Sequence, residues 1–108
     1  MDRRKRSDRR ETSRHPVTID VEWEGPWGRS AGTLSDISER GCFVLSSGNV
    51  EDGTVVKLFL PLSDGMKVQF ATEVSNHLAE VGFAARFIDI TPAQKDFLRN
   101  FVEMHGQE

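Results

Sequence analysis

The most constraining stretch of this chain is an eight-residue alternation. Val17, Ile19, Val21 and Trp23 are apolar, and Thr18, Asp20, Glu22 and Glu24 between them are polar. A period of two predicts a half-buried strand with an acidic outer face. Gly25-Pro26-Trp27-Gly28 follows as hairpin-turn chemistry. Arg29 to Ser35 reads as a second strand, Cys42 to Leu45 as a short apolar third, and Thr54 to Leu60, stopped by Pro61, as a fourth. Met66 to about Ser75 and Gly82 to Ile88 complete six strands, with Ser63-Asp64-Gly65 and Asn76-His77 as connections. Asp36 to Gly41 has turn chemistry, with Asp and Ser able to bond nearby backbone amides and Gly41 free to take a positive φ.

The end of the chain changes period. Thr91-Pro92-Ala93-Gln94 combines an N-cap, Pro at the first helical position and Gln three residues after the cap. Phe97, Leu98, Phe101 and Val102 recur at helical spacing and Gly106 halts the run, so a helix is expected over about 91–105. Six short strands and one amphipathic helix predict a mostly β fold, a small antiparallel barrel with the helix packed on it. At 108 residues this is one domain, 16–108, preceded by an arm, 1–15.

That arm is chemically unlike the body. Residues 1–16 hold seven of the 14 Lys and Arg against three acids, a local balance of +4, while the remainder balances at −7. The arm has almost nothing to bury, so it is expected to be flexible when unliganded. No stretch approaches 18 apolar residues and no apolar leader follows Met1, so a cytoplasmic address without membrane insertion is expected. Cys42 is the only cysteine and sits in an apolar strand, where a buried thiol is expected rather than a nucleophile. His15, His77 and His105 have no metal-ligand spacing, and neither a phosphate loop nor a nucleophile elbow is present, so no metal, cofactor or enzymatic activity is expected.

Two motifs carry chemistry. Arg10 and Arg14 are four apart. They project together about 13 Å apart in an extended chain, or within about 5–6 Å in a helix. A guanidinium grips phosphate or the guanine O6/N7 edge with paired hydrogen bonds. Twenty-two residues after Arg14 comes Asp36-x-Ser38-x-x-Gly41. Its carboxylate accepts from the ring and amino N–H groups of a purine, its hydroxyl donates or accepts, and its glycine permits close backbone approach.

An Arg-x-x-x-Arg ending an N-terminal arm, then Asp-x-Ser-x-x-Gly between strands, resembles the double motif of PilZ domains, bacterial receptors for cyclic di-GMP. The likeness runs from about Arg9 to Met104 and includes the strand Gly82 to Ile90 leading into the capped helix. It implies a six-stranded antiparallel barrel with a C-terminal helix and no catalysis. It further implies cyclic di-GMP as the second-messenger ligand, held by Arg10 and Arg14 with Arg9 as an extra contact. Asp36 and Ser38 would meet a guanine from the barrel side, with Gly41 shaping the turn. Arg40 stands at a variable position of the motif, either a ligand contact or a solvated charge. Ordering of the arm would relay the signal to a protein partner.

Two rival functions are a nucleic-acid-binding small barrel and a PilZ-like adaptor that binds only protein. The acidic body, without aromatics interleaved with Lys or Arg, argues against nucleic acid. The retained arginine pair argues against the adaptor.

Overall fold

Alternation becomes structure in β1 (His15–Gly25), where Val21 and Trp23 are buried and Pro16, Thr18 and Asp20 are exposed. The computed structural model describes residues 15–62 and 64–105. Within them β2 (Gly28–Ile37), β3 (Gly41–Leu45), β4 (Val55–Pro61), β5 (Lys67–Leu78) and β6 (Gly82–Ile88) follow, then α1 (Pro92–His105). The strands pair antiparallel in the order β1-β2-β3-β6-β5-β4, and β4 returns to β1 through Trp23↔Leu58 to close the barrel. Among the described residues closure leaves no strand unpaired on either side, and it gives the inward residues one shared core.

That core draws inward residues from all six strands together with one stripe of the helix. Trp23 lies edge-on to Phe83 with ring centroids 5.0 Å apart, and its indole N–H donates to Ser46 Oγ at 3.1 Å. The expectations of Trp23 in the core and Cys42 as a buried thiol both hold, and Trp27 at the hairpin tip is 78% exposed. The helix begins as its sequence predicts. Thr91 N–H donates to Gln94 Oε1 at 3.0 Å, and Gln94 N–H donates to Thr91 Oγ1 at 3.1 Å, a reciprocal capping box. Leu98, Phe101 and Val102 are buried on the barrel side, and Phe97 packs on Phe70 at 5.8 Å. Gln94 Nε2 also donates to the Gln69 carbonyl, tying the first turn of α1 to β5.

Three local expectations need correction. Asn76-His77 is no connection. β5 continues through Asn76↔Ala84 and His77↔Phe83 to Leu78↔Gly82, and the reversal lies at Ala79-Glu80-Val81, with Glu80 at φ 64°. Ladder pairing outweighs the turn preference of Asn there. Asp36 and Ile37 likewise belong to β2, paired on both sides, so the turn is confined to Ser38–Arg40. Gly41 is not among the residues of positive φ. Its reason is proximity: a Cβ there would stand 2.4 Å from the Ala85 carbonyl oxygen and 3.1 Å from Arg86 Cα. Ser63 and Gly106, read as turn and helix stop, lie outside the described residues.

Candidate functional site

The second motif sits on a wall whose pairing is interrupted. Leu34 and Ile37 are both fully buried although three apart, which strict alternation forbids. The structure reconciles them with a bulge: β2 passes from Leu34↔Val44 to Asp36↔Phe43, with Ser35 as the additional residue. β5 does the same between Val74↔Ala85 and Asn76↔Ala84, with Ser75 additional. Each bulge serine donates its hydroxyl across the ladder, Ser35 to the Phe43 carbonyl at 3.5 Å and Ser75 to the Ala84 carbonyl at 3.3 Å. β1 shifts register at the same level, between Pro16 and Ile19.

These bulges bring a row of outward residues into line across five strands. Pro16 pairs with Asp36, Asp36 with Phe43, Phe43 with Ala84, and Ala84 with Asn76. Asp36, Phe43 and Ala84 are half-buried on that outer wall, while their neighbours Ile37, Cys42 and Ala85 are buried inside. The row presents a carboxylate beside a low apolar strip. That combination suits a flat ring whose edge donates hydrogen bonds.

Ser38 closes the turn beside it. Its hydroxyl accepts from the backbone N–H of Arg40 at 3.1 Å and of Gly41 at 3.2 Å, and donates to the Gly41 carbonyl at 3.3 Å. A hydroxyl offers one donor and two acceptor positions, so the turn uses the full capacity of this buried side chain. The Phe87 N–H donates to the Arg40 carbonyl at 2.8 Å and fastens the turn to β6. Glu39 reaches Arg99 of α1 at 3.9 Å.

Of the residues singled out from sequence, Asp36, Ser38 and Gly41 thus share one corner of the barrel. The chain enters at the same corner, since His15 pairs with Ile37 and Pro16 with Asp36. Arg9, Arg10 and Arg14 lie outside the described residues. Sequence reading missed Phe43, Ala84 and Asn76; the odd spacing of Leu34 and Ile37 was the available signal for the bulge. Among the described residues no group of three or more His, Cys, Asp or Glu could hold a metal ion, and no helix is long and apolar enough to cross a membrane.

One family model, described as PilZ domain, matches residues 8–104. This chain belongs to the PilZ domain family. Among solved structures, the PilZ domain of CeSA from a cellulose synthesizing bacterium is similar with a TM-score of 0.68 and 24% identity, over 84% of this chain and 95% of that one. The Borreliella burgdorferi PlzA protein, solved in complex with c-di-GMP, is similar with a TM-score of 0.62 and 10% identity. That match covers 94% of this chain and 37% of PlzA. At these identities the likeness concerns the fold. A search among curated proteins found no match.

Proposed function

We propose that this PilZ domain is a receptor for cyclic di-GMP. Arg10 and Arg14, with Arg9 beside them, close over a dinucleotide seated on the Asp36–Phe43–Ala84 wall. The observation that carries this reading is the register of β1 on β2. Pro16 faces Asp36, and Arg14 is the covalent neighbour of His15, which pairs with Ile37. Arg10 is five residues before His15, within reach of about 17 Å of chain. The family match and the ligand present in the PlzA complex support the choice of dinucleotide.

Asp36 accepts from guanine N–H donors, while Phe43 and Ala84 supply the apolar bed. Ser38 acts first by holding the turn, and a direct contact from its hydroxyl replaces one of its present bonds. Each Arg–guanine pair contributes about 1–3 kcal/mol, and ordering a segment costs about 2–5 kcal/mol. Micromolar binding, about −8 kcal/mol, therefore requires several contacts together. Ordering of the arm then presents a new surface to a protein partner. This is a binding role without catalysis.

Calorimetric titration with cyclic di-GMP tests the reading. Micromolar binding is expected, with loss in Arg10→Ala and Arg14→Ala. Absence of heat at high micromolar ligand would falsify it, and near-normal binding by the double Arg variant would reject the site.

A further inference from the structure

Arg86 lies on β6, directly opposite Gly41 of the motif turn, and points outward like Ala84 two residues before it. Its side chain is 62% exposed and pairs on its other flank with Glu73 of β5. Gly41, itself buried, puts no side chain between Arg86 and the turn, and a Cβ there would stand 2.4 Å from the Ala85 carbonyl oxygen. Asp36 is two strands from Arg86, roughly 10 Å across the sheet. The body is acidic, with seven bases against 14 acids after Pro16, so a phosphate arriving at this wall depends on local cations.

We infer that Arg86 is a further phosphate-binding residue, a guanidinium on the barrel wall that leaves Glu73 and crosses Gly41 to the dinucleotide. The inference rests on the proposed cyclic di-GMP reading and extends it to a residue outside both motifs. An exposed carboxylate–guanidinium pair is worth little in water. A guanidinium–phosphate contact is charge-assisted like the pair it replaces and can be bidentate, so giving up Glu73 costs little. Glu73 is then a competitor that holds Arg86 aside until ligand arrives.

The full chain, titrated with cyclic di-GMP, decides the matter. Arg86→Ala is expected to weaken binding about tenfold. Glu73→Gln should strengthen it about two- to threefold, and Glu73→Gln should have no effect once Arg86 is replaced by Ala. The Arg86 Nε–H resonance should shift on ligand addition. Both positions face solvent, and unchanged thermal melting shows that the variants are folded. Binding by the unmodified chain with Arg86→Ala within twofold of it, or an unmoved Arg86 resonance, overturns the inference and leaves the receptor reading standing. No binding by the unmodified chain overturns both.

Discussion

Two outer walls of the same barrel behave differently. Over β1 and β4 the ladder is regular, and the charged side chains satisfy one another. Glu22 takes Arg29 at 3.3 Å and Lys67 at 3.7 Å, Glu24 takes Arg29 at 3.5 Å, and the Arg29 guanidinium covers the Phe59 ring at 4.1 Å. An open groove of about 530 Å³ lies there, between Asp20, Thr33, Phe59 and Lys67, with Glu22 at its rim already engaged. The wall over β2, β3, β6 and β5 instead carries two bulges, a fully committed serine turn and an apolar strip beside Asp36. The first wall holds the groove, and the second carries irregular pairing. The irregularity guides the proposed site, because a bulge changes which side chain faces out and holds it there.

The contrast can be broken most forcefully at Gly41. Gly41→Val meets the Ala85 carbonyl, a backbone atom that cannot step aside. A loss of about 3 kcal/mol in denaturant unfolding is expected, together with loss of ligand binding; a stable Gly41→Val variant would show that β3 and β6 are less closely apposed. Asp36→Ala should weaken cyclic di-GMP about 10–100-fold with little change in melting, while Glu22→Ala on the opposite wall should leave binding unaltered. Parallel titrations of the two variants compare the walls directly. Ser38→Ala leaves the Arg40 and Gly41 N–H groups without their acceptor. A cost of about 2 kcal/mol in unfolding is expected, and affinity should fall with it if the turn must be held in shape. Arg29→Ala is the mildest test. It uncovers Phe59 and should cost about 0.5–1 kcal/mol in stability with unchanged affinity for the dinucleotide.

The parts of the fold legible in the chain were those decided by neighbours in sequence. The β1 alternation, the two-residue hairpin tip at Pro26-Trp27 and the capping box of Thr91 and Gln94 all depend on residues a few positions apart. Asn76 misled because its preference for turns is intrinsic, while its place in β5 comes from pairing with Ala84. The freedom of Gly41 to take a positive φ is not what its position uses. Its demand is for space, since a Cβ there would stand 2.4 Å from the Ala85 carbonyl oxygen.

The sequence alone determined that strands would form, that one helix would follow them, and which residue types the two motifs offer, because side-chain period and capping are local properties of the chain. Only the tertiary structure decided that Pro16 faces Asp36, that Phe43 and Ala84 floor the same corner, and that Arg86 stands across Gly41. Register belongs to a pair of strands and not to either one, so no single stretch of this chain contains it.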